Sequence, residues 1–275
     1  MDKVPKYVLE ITLFLCLLLA VPFVLIPYFT SNFLVIREER AEEESRLRHL
    51  EEQGILKEAQ RRAELKVYLT GRFDPAERSD FVNVPAEYIL GEEKNKTYLR
   101  LETYRAYLAM RAAALEDDID LKLASATRNF YYQKKIWNEK WLAYDTADGL
   151  QKFKKILEYS AAPGTSRHHW GTEIDINNAN PPYFQTTKGQ REYAWLAGNA
   201  PLFGFCQIYE EKNSEGENGY NEEKWHWSYL PLSRVYTEEY RDLITDSDIH
   251  GFLGDQYVPL FNLHDYVLSI NPDCL

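Results

Sequence analysis

The sequence has 275 residues, of which 45% are hydrophobic and 27% are charged, so most of the chain is expected to be globular rather than disordered. This length accommodates one sizeable domain with additional segments. The formal net charge of −11 argues against nucleic acid as a partner, because binding to phosphates requires a basic surface.

An uncharged stretch, residues 11–30, follows a short N-terminal segment, residues 1–10. A helix of about twenty residues spans the hydrocarbon core of a bilayer. The competing interpretation, a cleaved signal peptide, requires a small-residue cleavage site. The stretch offers only Ala20, followed by Val21 and Pro22. We therefore predict an uncleaved, single-pass transmembrane anchor.

Positive charges flank this stretch on both sides, and they bear on its orientation. Lys3 and Lys6 precede it, whereas four arginines follow it within residues 37–48. Counting positive charges alone places the C-terminal part of the chain inside the cell. This indication opposes the location that the predicted function favours below.

Residues 31–70 are predicted to form a solvated helical stalk. They are dense in Glu, Arg, Ala and Leu, and they contain many potential i,i+4 ion pairs. Their apolar positions do not hold a heptad repeat, which gives little support to a coiled coil and leaves the oligomeric state open. Gly71 and Pro75 end the stalk, so the globular domain is expected to cover residues 71–275.

Helical and strand patterns alternate within this domain. Apolar residues at helical spacing cover 97–118 and 129–144. Strand patterns cover four shorter segments, which are 119–123, 172–176, 202–209 and 224–230. Helices and short strands in this order predict an α+β domain with a small antiparallel sheet flanked by helices.

The segment SRHHWGTEIDI, residues 166–176, carries the first candidate site. His168 and Asp175 are suitable zinc ligands, and Gly171 lets the chain turn between them. A catalytic zinc needs three nitrogen or oxygen ligands and one open position. The third ligand therefore has to come from elsewhere in the chain.

The segment NEEKWHWSY supplies that third candidate. His226 lies on a predicted strand, and Glu223 precedes it by three residues. A zinc hydrolase needs such a third ligand and a carboxylate that takes a proton from water. Each of these residues alone has an ordinary structural explanation. Their joint occurrence favours a zinc hydrolase.

Three blocks of sequence together resemble the VanY-type zinc D-alanyl-D-alanine carboxypeptidases, which are LAS-type peptidoglycan peptidases of peptidase family M15. The blocks are S-x-H-x-x-G-x-E-x-D at 166–175, E-x-W-H at 223–226 and ASATRNFYYQ at 124–133. The last is similar to the family's Ser-Gly-Tyr-Arg-Ser-x-x-x-Gln segment. They occur in the family's order, and the resemblance covers roughly residues 71–275. It implies the LAS/Hedgehog-like zinc peptidase fold.

Carried over by position, the resemblance implies that His168, Asp175 and His226 bind Zn²⁺. Glu223 would be the general base and later the proton donor to the leaving amine. Arg128 matches the arginine that holds the terminal carboxylate of the substrate, and a guanidinium suits that role geometrically.

Other positions follow the family less closely. Ser166 and Gln133 match positions that contact substrate. The family has a small residue where this chain has Glu173, which by strand alternation shares a face with Asp175. Glu173 is interpreted as an orienting residue for a ligand or for the arginine, or as a charge that alters substrate choice. Trp225 either walls the pocket or packs in the core.

The resemblance predicts an enzyme that removes the terminal D-alanine from peptidoglycan stem peptides. An L,D-carboxypeptidase, a peptidoglycan endopeptidase and a zinc-containing cell-wall binding module are the alternatives. The substrate favours a bacterial inner (plasma) membrane location with the catalytic domain in the periplasm or on the outer face. Cys206 and Cys274 are interpreted either as a disulfide, which an oxidising compartment allows, or as two buried thiols.

Overall fold

The structure, a computed structural model, describes residues 6–91, 96–211 and 219–275, with side chains described from residue 33 onward except at residue 36. The chain forms two compact units, Met1–Arg61 and Arg62–Leu275. The site lies in the second unit.

Helix α1, Lys6–Leu69, includes the predicted stalk. It ends at Leu69, because Gly71 adopts a left-handed conformation with φ of 72° and its N–H donates to the Tyr68 carbonyl. The predicted transmembrane segment, residues 11–30, lies outside the residues whose side chains are described. Where side chains are described, no helix combines the length and apolar character needed to cross a bilayer.

The described residues of the second unit form two antiparallel sheets. The smaller pairs β1, Phe81–Asn83, with β2, Tyr98–Arg100. The larger has four strands in the order β3-β4-β6-β5, and the strands are β3, Leu123–Ser125; β4, Glu173–Ile176; β5, Phe205–Gln207; and β6, His226–Tyr229. The α+β class with a small antiparallel sheet is therefore confirmed.

Helices surround the sheet. They are α2, Leu101–Glu116; α3, Phe130–Ala143; α4, Gly149–Leu157; α5, Thr187–Asn199; α6, Leu230–Leu243; and α7, Leu263–Leu268. The side chain of Asn129 caps α3 by accepting from the Tyr132 N–H at 2.9 Å. This cap fixes the start of the helix directly after Arg128.

Among the boundaries that differ from the sequence prediction, two lie at the starts of α2 and β3. Residues 98–100, predicted as helix, pair with β1 and form β2. The strand predicted at 119–123 is wrong for its first four residues, because only Leu123 to Ser125 pair with β4. Ile119 and Leu121 are buried in an apolar cluster that includes α2 residues, so their alternation reflects burial without strand pairing.

Strand alternation gives the larger sheet one apolar and one polar face. Ile174, Ile176 and Trp227 pack into the same apolar cluster. The intervening residues lie on the opposite face by alternation, and they are Glu173, Asp175, His226 and Ser228. All four are buried. The polar face of this sheet therefore carries the candidate site.

A disulfide joins Cys206 in β5 to Cys274, with a Cα–Cα distance of 5.7 Å. Of the two interpretations of these cysteines, the structure has the bonded one. The bond ties residues 272–274, a 3-10 helix, to the edge of the sheet.

Candidate active site

His168 lies in a short 3-10 helix, Arg167–Trp170, that leads into β4. Its Nδ1 lies 2.7 Å from the carbonyl oxygen of Ala126. When Nδ1–H donates to this carbonyl, Nε2 is the unprotonated nitrogen, which can bind a metal. Gly171 then reverses the chain with φ of 73°. This turn places the histidine beside the strand that carries Asp175.

Antiparallel pairing brings the other two predicted ligands together. Asp175 of β4 lies directly opposite His226 of β6 in the register. With His168 they offer ligand atoms that all lie within 4.8 Å of one another, and all three residues are buried. Two histidines and one carboxylate are a ligand set that catalytic zinc uses.

Two atoms of this set support a bound cation. His168 Nε2 and Asp175 Oδ1 lie 3.3 Å apart, and both are buried. Neither has a hydrogen-bond partner of acceptable geometry among the described residues. Buried polar atoms are normally satisfied, so the chemistry of these residues fits a zinc ion.

The electrostatics keep these donors in forms that bind metal. Burial, reinforced by Arg128, lowers the pKa of His168 to about 4, so this imidazole is neutral at pH 7. Burial raises the pKa of Asp175, but His168 and His226 outweigh it and hold that pKa well below its usual range. A neutral imidazole and a carboxylate are the forms that coordinate a metal.

His226 lies between two carboxylates. Its Nδ1 is 2.9 Å from Glu223 Oε2, and its Nε2 is 3.0 Å from Glu173 Oε2. Burial lowers the pKa of His226, but the hydrogen bonds with both carboxylates outweigh it and raise the pKa to about 9.

Glu223 is held beside the ligand set by the backbone before β6. Its N–H donates to the Tyr209 carbonyl, and its own carbonyl accepts from the His226 N–H. Burial raises the pKa of Glu223, and the hydrogen bond from His226 opposes this rise without cancelling it. A carboxylate with a raised pKa beside a metal site is suited to accept and return a proton.

Arg128 also faces this cluster. Its N–H donates to the His168 carbonyl, and it is half-buried. Its Nε is buried without a hydrogen-bond partner, and no carboxylate within the described part of the chain forms an ion pair with it. The guanidinium is therefore available for an anionic group of a ligand.

The remaining predicted residues are buried. Gln133 donates its amide to the Ala161 carbonyl at 2.7 Å. Ser166 precedes the 3-10 helix and accepts from the His169 N–H with its carbonyl. Trp225 packs against Phe184 at a ring distance of 6.0 Å. Of the predicted residues, the structure brings together His168, Asp175, His226, Glu223 and Glu173.

His169, the neighbour of His168, has a structural role. Its Nδ1 lies 2.5 Å from the Arg128 carbonyl, and its Nε2 accepts from the Gly164 N–H. Burial lowers its pKa to about 3. A neutral His169 therefore joins the backbone around Arg128 to the segment before the metal cluster.

The sequence reasoning missed Arg167 and Ser228. The Arg167 side chain is 1% exposed, and its Nε lies 3.5 Å from Glu173 Oε1. Ser228 donates to the same oxygen at 2.7 Å. Strand alternation in β6 could have identified Ser228, because it lies two residues from His226 and therefore shares its face.

Comparison with known proteins agrees with this geometry. Residues 96–232 match the family model VanY, described as D-alanyl-D-alanine carboxypeptidase. The matched segment contains all the residues predicted to bind metal, substrate or the reacting proton. This segment is therefore of the VanY type in its sequence.

Two curated relatives and a solved structure are similar to the chain. A putative carboxypeptidase, YodJ of Bacillus subtilis, is 30% identical over 168 residues, covering 59% of this chain and 56% of that protein. A D-alanyl-D-alanine carboxypeptidase of Enterococcus faecalis is 30% identical over 156 residues, covering 54% and 55%. The LdcB LD-carboxypeptidase structure is 25% identical with a TM-score of 0.45, covering 71% and 80%. The chain spans a little over half the length of the two curated relatives.

Proposed function

We propose that residues 71–275 form a zinc-dependent carboxypeptidase that removes the terminal D-alanine from peptidoglycan stem peptides ending in D-Ala-D-Ala. The observation that carries this proposal is the buried group His168, Asp175 and His226 with Glu223 hydrogen-bonded to one member, within a VanY-type domain.

The site residues divide the hydrolysis between them. Zinc, when bound by the three ligands, lowers the pKa of a water to about 7 and polarises a carbonyl. Glu223 takes the proton from the attacking water as the new C–O bond forms. It then gives that proton to the amine as the peptide C–N bond breaks, so one carboxylate serves both halves of the reaction.

Arg128 selects where the peptide is cut. A guanidinium forms charge-assisted, bidentate hydrogen bonds with a carboxylate. Held within the site, it receives the free C-terminus of the substrate and places the last peptide bond at the metal. This arrangement favours removal of one terminal residue over cleavage inside a peptide.

Full-length protein loaded with zinc tests the activity. Synthetic stem peptides ending in D-Ala-D-Ala or in L-Lys-D-Ala are incubated with it, and mass spectrometry identifies the products. We expect loss of one D-alanine from the first peptide. Release only from the second would instead indicate an L,D-carboxypeptidase. Internal cleavage would indicate an endopeptidase, and bound zinc without any cleavage would indicate a binding module.

We also propose that residues 11–30 anchor the protein in the bacterial inner membrane as a single span, with residues 31–70 as a stalk and the catalytic domain in the periplasm or on the outer face. The uncharged stretch and the location of peptidoglycan support this, and so does the disulfide, which forms in oxidising compartments. The count of flanking positive charges opposes it.

Reporter fusions after Leu275 decide the orientation. Alkaline phosphatase fused there should be active, because this enzyme is active only outside the cytoplasm. A green fluorescent protein that folds only in the cytoplasm should not fluoresce when it is fused at the same position. The reverse pattern would place the catalytic domain inside the cell.

A further inference from the structure

Glu173 makes contacts that the reaction as described does not use. Its side chain is fully buried, and its Oε2 lies 3.0 Å from His226 Nε2. The small residue that the related family has at this position lacks a group that makes this contact. With Nε2 bonded to Glu173, the other ring nitrogen, Nδ1, faces Glu223, the carboxylate proposed to work beside the metal.

The other oxygen of Glu173 is fixed from three sides. Ser228 donates to Oε1 at 2.7 Å, and Thr172 donates at 3.1 Å. Arg167 Nε lies 3.5 Å away. These contacts leave the carboxylate little freedom to turn towards the metal cluster.

Arg167 is itself anchored. It donates to the Thr237 hydroxyl at 2.9 Å, and its guanidinium lies over the Trp170 ring, 4.5 Å from the centroid. Thr237 lies in α6, so a helix on the polar side of the sheet contributes to holding Glu173. Contacts through Arg167 and Glu173 therefore connect α6 to His226.

We propose that Glu173 is a positioning residue that fixes the ring of His226 with Nε2–H donated to Glu173 and Nδ1 presented to zinc. This inference rests on the proposed function of the site. Carboxylate partners of metal-binding histidines set the tautomer and the ring orientation, and their loss typically weakens metal binding 10- to 100-fold. Arg167 holds the carboxylate in place.

A simpler role would be that Glu173 only neutralises the buried Arg167. Removing one partner of a buried ion pair is destabilising in itself, so a single variant cannot separate the two roles. The double variant Glu173→Ala with Arg167→Met can, because it removes both charges and keeps apolar volume at the arginine.

The experiment measures zinc affinity of the full-length protein by competition with a chromogenic chelator, together with the thermal midpoint. We expect Glu173→Ala to weaken zinc binding about 10- to 100-fold and to lower the midpoint. The double variant should regain thermal stability but retain weak zinc binding. Glu173→Gln, which keeps an acceptor oxygen, should fall between wild type and Glu173→Ala.

Glu192→Gln is the matched control. Glu192 is also a buried carboxylate, bonded to Tyr183 and Lys188 away from the metal cluster. Its substitution should leave zinc affinity unchanged. In zinc-loaded protein labelled with ¹⁵N-histidine, the Nε2–H of His226 should give a slowly exchanging proton signal that Glu173→Ala removes and Arg167→Met keeps.

The outcomes separate this inference from the function on which it rests. Zinc affinity of Glu173→Ala within twofold of wild type, or full recovery in the double variant, would overturn the positioning role while leaving the peptidase intact. A wild-type protein that binds no zinc would overturn the proposed function, and the positioning role with it. If Glu173→Ala fails to fold, the double variant and Glu173→Gln still decide the question.

Discussion

Glu223 and the metal-binding histidine are coupled at the level of single atoms. Glu223 Oε2 lies 2.9 Å from His226 Nδ1, and burial raises the pKa of the carboxyl. Glu223→Gln keeps the size of the side chain but cannot accept the proton of water. We expect zinc content to stay near one ion per chain, and kcat to fall by about 10²- to 10⁴-fold.

Metal analysis by emission spectroscopy and turnover of a D-Ala-D-Ala peptide, followed on the same sample, check this prediction. Glu222→Gln is a suitable control, because Glu222 is the neighbouring carboxylate and pairs with Lys224. Wild-type turnover by the Glu223 variant would remove this residue from the mechanism.

Arg128 carries a different part of the reaction. It has an unpartnered Nε, and no ion pair holds its guanidinium among the described residues. Charge-assisted hydrogen bonds contribute about 1.5–3 kcal/mol, so Arg128→Ala should lower kcat/KM by about 10- to 100-fold for peptides with a free C-terminus. Peptides with an amidated C-terminus should lose much less.

Comparing both peptides with both proteins isolates the carboxylate contact. Arg128→Lys keeps the charge without the bidentate geometry and should recover only part of the loss. An equal loss for free and amidated peptides would show that the arginine acts on something other than the terminal carboxylate.

Among single residues, the sequence predicted the metal ligands but not Arg167 and Ser228, which contact Glu173. His168 and Asp175 lie within eight residues, and His226 follows Glu223 closely, so short spacings identify all four. The role of Arg167 is recognised only from its contacts with Thr237 and Ser228, both more than 60 residues away in the sequence. No local pattern encodes contacts of that range.

Strand β4 is the element that organises the site. It lies between β3 and β6, and its register places Asp175 opposite His226 and Glu173 opposite Ser228. A shift of one residue would exchange the apolar and polar faces. The apolar packing of Ile174 and Ile176 therefore fixes the positions of the metal ligands.

The turn into β4 gives a prediction about stability. Gly171 has φ of 73°, and an added Cβ would lie 2.4 Å from Phe81 Cε1 and 2.9 Å from Arg100 Cγ. Both the left-handed backbone and the close contact disfavour a side chain. Gly171→Ala should lower the free energy of unfolding by about 2 kcal/mol or more.

Urea denaturation followed by circular dichroism measures this effect. Gly198→Ala is the control, because Gly198 lies in α5 with no atom within 4 Å of its added Cβ. That change should be neutral or should stabilise the protein by up to about 1 kcal/mol. Equal stabilities of the two variants would show that the turn tolerates a side chain.

The elements that the sequence mispredicted are short ones. Residues 98–100 have helical spacing continuous with α2, yet they form β2 because β1 and the backbone near Gly171 supply their hydrogen bonds. The Arg100 N–H, for example, donates to the Gly171 carbonyl at 3.1 Å. Tertiary partners decide such three-residue segments, whereas longer periodic segments such as α3 follow from sequence alone.

At the scale of the whole molecule, the disulfide connects the C-terminal segment to the catalytic sheet. Cys206 and Cys274 are 68 residues apart, and Cys206 lies in β5, next to the strand that carries His226. Closing a loop of this length removes entropy from the unfolded chain, which corresponds to about 4 kcal/mol in the chain-entropy model. The bond therefore supports the sheet edge nearest the metal ligand.

Replacing both cysteines, Cys206→Ser with Cys274→Ser, should lower the free energy of unfolding by about 2–4 kcal/mol. Zinc binding should persist, because neither cysteine belongs to the metal cluster. Thermal unfolding with and without reductant checks this, since reductant should lower the midpoint of the wild type and leave the double variant unchanged. A wild-type midpoint insensitive to reductant, in protein shown by thiol titration to be reduced, would remove the disulfide as a source of stability.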